Sequence, residues 1–238
     1  MLKLLGNPNI NIYNSVYKYL DSNMYAIVDS GSCVIIDPHE SNELLRIFIE
    51  KKVKDIVILL THEHQDHTSG IYYYQEKFKS RLICQEDCAK CMQEKKYLRP
   101  TMLSFAISER DKINNTRLLD EFKLDFFPRN NFADEVFSEL YCLKWHNHIF
   151  HFYHIPGHSK GSTLIVMDHK IAFSGDSLLE KYPIIVRFPE SSKEDYLSKT
   201  LPLFNRVITE NMVILPGHGK PFNISKIKKE GTINVQFQ

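Results

Sequence analysis

Apolar positions along the chain follow two different rhythms, and the switches between them mark its elements. Tyr13 to Leu20, Met24 to Val28 and Ser32 to Ile36 are rich in Val, Ile and Tyr. Asp21-Ser22-Asn23 and Asp29-Ser30-Gly31 separate them, which predicts three strands in an antiparallel meander with tight turns. After Asp37-Pro38-His39 the spacing becomes helical, with Leu44, Leu45, Phe48 and Ile49 on one face and Ser41 placed to cap its start. Ile56 to Leu60 form an unbroken apolar run, as expected of a strand covered on both faces, and Thr61 ends it. A helix over Ile71 to Phe78 and a short strand around Arg81 to Cys84 follow.

From about Glu86 to Phe132 the rhythm breaks. A helical piece at Leu103 to Arg110 sits among Pro100, Asn114-Asn115 and Pro128-Arg129-Asn130-Asn131. This stretch, 86–132, reads as an insertion within one domain spanning 1–238. Its apolar residues, among them Tyr97, Leu98, Met102, Phe126 and Phe127, suit either a cover for the sheet or a lid over a site. Strands return at Glu139 to Trp145, Ile149 to Ile155, Thr163 to Met167 and Ile171 to Phe173, with a helix over Ser192 to Asn205 and a last strand at Met212 to Leu215. The order is α/β, without the repeating strand-helix-strand units of a doubly wound sheet.

Composition narrows the partners. In 238 residues, 30 Lys and Arg stand against 29 Asp and Glu, a formal charge of +1, so no broad affinity for nucleic acid or acidic membranes is encoded. No apolar run is long enough to span a bilayer, and Met1 to Leu5 is too short for a leader, so a cytoplasmic location is the default. Five cysteines read as reduced thiols. Neither charge nor length indicates an oligomeric state.

The candidate chemistry is concentrated where strands end. Thr61-His62-Glu63-His64-Gln65-Asp66-His67 places three histidines and an aspartate just after an apolar strand. The spacing is not that of a helical zinc protease, because the position four after His62 is Asp66. On a loop, His62 and His64 can face one way and Asp66 and His67 another, so one segment can feed two adjacent ions. His158 in Pro156-Gly157-His158, Asp176 in Gly175-Asp176 and His218 in Pro216-Gly217-His218 close later strands in the same manner, each after a glycine that permits a sharp turn.

This order of motifs, His-x-His-x-Asp-His, Pro-Gly-His, Gly-Asp and Pro-Gly-His, resembles the metallo-β-lactamase superfamily in its glyoxalase II-like branch. Asn23 to Val28 and Val34 to Pro38 look like that family's opening strands. The resemblance implies a four-layer αββα sandwich with metals at one edge of the two sheets. It implies that His62, His64 and His158 hold one metal, that Asp66, His67 and His218 hold a second, and that Asp176 bridges them. Two zinc ions suit this set, and its nitrogen and oxygen donors would also accept iron or manganese. Water held between ions about 3.5 to 4 Å apart loses a proton near neutral pH, and the resulting hydroxide, oriented by Asp66, is the expected nucleophile. The implied activity is hydrolysis of an ester, thioester or lactone in a small-molecule or acyl-thioester substrate. An iron persulfide dioxygenase using His62, His158 and Asp176, or a phosphodiesterase or nuclease, is the alternative.

The departures from that family narrow the choice. Asp176 stands where true β-lactamases of the family lack a bridging aspartate. Ser177 to Pro183 replaces the Gly-Cys-Gly-Arg type segment of glyoxalase II, and the 20 residues after His218 leave no room for its helical glutathione-binding domain, which argues against a glutathione thioester. Lactonase relatives place a tyrosine shortly after the bridging aspartate; here Tyr182 comes later than that position and is the candidate proton donor. Cys84-x-x-x-Cys88-x-x-Cys91 has the spacing of a radical-SAM cluster motif, but it falls where the family has a strand followed by a helix, so buried thiols account for it better. His39 and His154 are candidates to support the ligands.

Overall fold

Alternation along each strand sends successive side chains to opposite faces, and both faces here are apolar, so each sheet must be covered twice. The computed structural model describes residues 11–94, 100–122, 131–188, 190–229 and 232–238. Its first sheet runs in sequence order: β1 (Ile12–Val16), β2 (Asn23–Asp29), β3 (Ser32–Ile36), β4 (Asp55–Leu59), β5 (Lys79–Gln85) and β6 (Glu135–Phe137). The second has the order β12-β11-β10-β9-β8-β7, with β7 at Leu140–Trp145, β8 at His148–His154, β9 at Thr163–Met167, β10 at Ile171–Gly175, β11 at Val213–Pro216 and β12 at Phe222–Asn223.

Ile27, Val34, Ile36, Val57, Leu59 and Ile83 of the first sheet pack against Phe150, Phe152, Ile165, Phe173 and Leu215 of the second, which forms the central core. The alternate residues Ala26, Cys33, Ile35, Ile56, Ile58 and Leu82 face outward. They meet Leu44 and Phe48 of α1 (Asn42–Glu50), Ile71 and Tyr74 of α3 (Ile71–Gln75), which follows the single turn α2 (Gln65–Thr68), and Cys88 and Met92 of α4 (Glu86–Gln93). On the far side, Leu164, Val166, Ala172 and Ile214 are covered by Tyr196 and Phe204. Four layers, αββα, result.

The meander β1-β2-β3 is antiparallel as expected. The sheet is not doubly wound, as expected, but β3, β4, β5 and β6 are mutually parallel and joined through helices, a local repeat that the chain's rhythm did not indicate. Helices cover only one face of this sheet. The strands therefore follow in sequence order with no reversal, and the short helices α2 and α3 obscure the repeat in the chain's pattern.

Residues 86–93 belong to the outer helix layer through Cys88 and Met92, not to an appendage. Among the described residues of 94–131 are α5 (Pro100–Asn114) and α6 (Leu118–Glu121); Leu103 and Ile107 of α5, with Phe122 just after α6, pack on Tyr19 and Leu20 of the β1–β2 turn. Arg110 pairs with Asp21 and donates to the Lys18 carbonyl, and Lys18 pairs with Glu121 at 3.0 Å. Tyr97, Leu98, Phe126 and Phe127, read above as part of a cover or lid, lie outside the described residues.

Candidate metal centre

Strand direction brings the candidate ligands together. β3 and β4 are parallel, so the turns after Ile36 and Leu59 leave the first sheet at the same end. In the second sheet β8 and β10 are both antiparallel to β9, and β10 is parallel to β11, so the turns carrying His158, Asp176 and His218 also share one end. The two edges are stitched to each other. Thr163 N donates to Thr61 O at 2.7 Å, Asn23 N to Gly217 O at 2.6 Å, and the Tyr25 hydroxyl to Pro216 O at 2.8 Å. Behind them runs a helical segment of α7 (Lys193–Asp195), a π turn (Tyr196–Thr200) and α8 (Leu201–Val207). Its Thr200 hydroxyl donates to Pro156 O and its Tyr196 hydroxyl to Ser177 O, which fixes the turns of His158 and Asp176. A π turn at such a point is a frequent companion of functional sites.

Two donor groups emerge. His64 Nδ1 lies 3.1 Å from His62 Nε2 and 3.1 Å from His158 Nε2. Nitrogens bound tetrahedrally to one zinc at about 2.0–2.1 Å stand about 3.3 Å apart, so the three imidazoles suit a single ion. In the second group, Asp66 Oδ2 is 3.4 Å from His67 Nε2 and 3.5 Å from His218 Nε2. Asp176 faces both groups, with Oδ1 3.5 Å from His67 Nε2, and Oδ2 3.3 Å from His218 Nε2 and 3.7 Å from His158 Nε2.

The residues fit a pair of cations. His67 Nε2 and Asp176 Oδ1 are buried and have no hydrogen-bond partner, which is costly unless something else satisfies them. Space is kept open for the carboxylate by Gly217, where a Cβ would come within 2.1 Å of Asp176 Oδ1. Gly175, at φ +51°, similarly lets the chain pass Thr61, whose Oγ1 would lie 2.5 Å from an added Cβ. Among the described residues, two sets of three side chains that can hold a metal ion are those predicted, and a third joins Asp37 to His62 and His67.

The electrostatics divide the groups. Burial pushes His62 and His158 down, and burial together with its His158 neighbour takes His64 to about 3, so this group is neutral. Burial acts the same way on His67, but the carboxylates of Asp66, Asp176 and Asp37 outweigh it and raise the imidazole to about 9. Asp176 and Asp66 likewise hold His218 well above its usual value despite burial. In return, His67 and His218 keep Asp66 and Asp176 below the usual carboxylate range, against the burial that alone would raise them.

Residues 18–218 match the profile of the family described as "Metallo-beta-lactamase superfamily". The chain belongs to this superfamily. A hydroxyacylglutathione hydrolase, GloC, of Haemophilus influenzae is 27% identical over 207 residues, 84% of this chain and 86% of that protein. A hydroxyacylglutathione hydrolase of Klebsiella pneumoniae is 34% identical over 70 residues, so that the match spans only 29% of this chain and 28% of the relative. Among solved structures of the superfamily's fold, BLEG-1 B3 metallo-beta-lactamase superposes with a TM-score of 0.68 at 19% identity, covering 90% of this chain and 95% of that one. ETHE1 from Myxococcus xanthus gives 0.67 at 15%, over 92% and 82%. TTHA1623 in a di-iron-bound form gives 0.65 at 18%, over 90% and 96%. At these identities the likeness to the solved structures is one of fold. The superfamily's fold carries a metal centre of histidine and aspartate clusters, which these donor groups match.

Within the superfamily frame, the supporting residues differ from those expected. His39 Nδ1 meets its neighbour's carbonyl, Glu40 O, at 3.1 Å, and His154 meets Glu139 and Lys160 O, so neither hydrogen-bonds to a donor of the two groups. The residue that does is Asp37, at φ +55° just after β3. It accepts from His67 Nδ1 at 3.0 Å, from Thr61 N at 2.7 Å and from the Thr61 hydroxyl. Thr61 Oγ1 is 3.0 Å from His62 Nδ1, so one carboxylate orients an imidazole in each group. Its only signal in the chain was an acid at the end of an apolar strand. His158 Nδ1 donates to Ile185 O at 2.9 Å. The Phe188 ring stands 5.2 Å from His64, a wall to the first group. Tyr182, 56% exposed, lines a cleft of about 170 Å³ with His218 and Gly219. The five cysteines are all thiols, and Cys84, Cys88 and Cys91 are buried under α4 without forming one of the ligand groups among the described residues.

Proposed function

We propose that this protein is a dinuclear metal-dependent hydrolase of ester bonds, with an acyl thioester as the favoured substrate and carboxyl esters and lactones as related ones. The observation that carries the reading is the Asp176 carboxylate, which lies between the two donor groups, with Oδ1 3.5 Å from His67 Nε2 and Oδ2 3.3 Å from His218 Nε2 and 3.7 Å from His158 Nε2. His62, His64 and His158 would hold one ion, Asp66, His67 and His218 the other, with Asp176 shared. Two zinc ions are the best match to the donors, and iron or manganese is compatible. When bound, such ions supply Lewis acidity and water activated at neutral pH.

The chain's own residues do the remainder. Asp66 orients the attacking water from the second group. Phe188 walls the first group and keeps bulk water from it. Tyr182, beside His218 at the open side, is the phenol assigned to protonate the leaving group. Hydroxyacylglutathione hydrolase relatives support a thioester over the other ester classes. A persulfide dioxygenase of the kind discussed above would need only His62, His158 and Asp176, which leaves the complete second group without a use. Nothing in the charge balance favours a nucleic-acid substrate.

The test is metal content of protein purified without added metal, alongside turnover of thioesters, lactones, carboxyl esters and phosphodiesters. We expect two ions per chain, thioester turnover, and a loss of about 10²–10³-fold in kcat for Asp176→Ala, the scale of removing one group that stabilises the transition state. A single iron with sulfur-dependent oxygen uptake, or full activity in the variant, would overturn the reading.

A further inference from the structure

The first donor group has no carboxylate of its own, yet three imidazoles point ring nitrogens at one another at 3.1 Å. A proton on His64 Nδ1 could serve only one of its two neighbours. Without an ion the arrangement is repulsive, so something other than attraction between its members must hold it. The three histidines come from two loops. His62 and His64 follow β4, and His158 lies in the connection between β8 and β9, so the loops must be braced against each other.

Glu63 sits between His62 and His64, and its side chain turns away from the donors. It is 4% exposed, and the ligand set proposed above gives it no role. Its Oε2 accepts from the hydroxyl of Ser159, the residue after His158, at 3.0 Å. Ser159 is 1% exposed and is itself locked: its hydroxyl is 2.9 Å from Ser162 Oγ, and its backbone N donates to the same oxygen at 3.1 Å. On the other side of His62, Thr61 O accepts from Thr163 N at 2.7 Å. The two loops are thus joined on both sides of His62, once by backbone and once by the Glu63 side chain.

We infer that Glu63 and Ser159 form a strut that sets the spacing of the first donor group, and that Glu63 is a positioning residue for the ion held there. The inference rests on the dinuclear reading. The second group has no part in the strut: its histidines are oriented by Asp37 and by the Asn23 contacts to Pro216 and Gly219. Loss of the strut therefore weakens one ion and spares the other.

The experiment is zinc titration of the chelator-stripped full chain by calorimetry, with the occupancy of each group read by anomalous diffraction at the zinc edge. Glu63→Ala and Ser159→Ala each lower affinity at the first group by about 10–100-fold, the usual effect of removing a supporting partner, and leave the second group unchanged. The double variant is no weaker than the weaker single, because both substitutions break one link. Glu63→Gln, which keeps an acceptor for Ser159, falls between the wild type and Glu63→Ala. If Glu63→Ala does not fold, Ser159→Ala, which removes a single hydroxyl, carries the same expectation. Unchanged affinity at the first group in Ser159→Ala, or equal weakening of both groups, overturns the strut while leaving the dinuclear reading intact. A wild type that binds no zinc overturns both.

Discussion

Burial dominates at His62, His64 and His158 and favours the neutral imidazole, whereas at His67 and His218 the carboxylates of Asp66 and Asp176 outweigh it and favour the protonated one. Both groups are buried and both are built from loops at strand ends, so desolvation does not distinguish them. The carboxylates do. Carboxylates favour the protonated imidazole in the second group, whereas burial favours the neutral form in the first. An ion entering the first group displaces no proton, and one entering the second must. Under the dinuclear reading proposed above, loading should therefore be ordered by charge, with the first group filled at lower pH.

The largest effect that would break this comparison is in the pH dependence of binding. For each proton displaced, affinity rises about tenfold per pH unit below the imidazole's pKa, so the second ion gains about a hundredfold per displaced proton between pH 6 and pH 8, while the first changes little. Calorimetry in buffers of different ionisation enthalpy reads the proton count directly, and equal release by both ions would refute the division. Stability of the metal-free protein carries the same asymmetry. His67, raised to about 9, stabilises the fold fully below pH 6.5 and loses that contribution as pH rises through 9. His64, lowered to about 3, costs stability progressively as pH falls from 6.5 toward 3. The unfolding temperature of the stripped protein should decline in both directions.

Asp37→Asn should have the next largest effect. The amide keeps an acceptor for Thr61 N but loses the charge facing His67, so the second ion is weakened by about 10–100-fold. The first is weakened less, because His62 feels Asp37 only through the Thr61 hydroxyl. Equal loss at both groups would show that Asp37 acts on the loop as a whole.

The smallest effect lies at the helical insertion. It docks on the β1–β2 turn, where Ser22 donates to Asp66 O at 3.1 Å and pairs through its backbone with His218. Arg110→Ala removes the contact to Asp21, an ion pair near the surface, and should cost less than about 1 kcal/mol in thermal unfolding. Any change in ion affinity should fall on the second group. A change confined to the first would contradict the connection.

The candidate donors were nameable from the chain because donor chemistry is a local property, and the structure brings them together in two groups. A histidine or aspartate just after an apolar strand declares both its chemistry and its place at a sheet end, and seven such residues recur in one order. Asp37 was not legible in the same way. Its value depends on meeting His67, thirty positions on, and an acid after a strand is otherwise an ordinary turn residue. His39 and His154 failed for the converse reason: histidines near a ligand motif look like supporting partners, and only side-chain direction shows that their bonds go elsewhere. The stretch 86–132 stood out as a change of rhythm, but that α4 belongs to the helix layer did not, since Cys88 and Met92 acquire a partner only when the sheet is assembled.

The sequence by itself determined the strands, the candidate donors and the expected division of one short loop between two directions, because alternation, spacing and side-chain chemistry act over a few residues. Tertiary structure alone decided the parallel order of β3 to β6, the meeting of two sheet edges and the opposite charge states of otherwise identical imidazoles. Those depend on pairings between residues tens to nearly two hundred positions apart, and on how many carboxylates the folded chain places beside each ring.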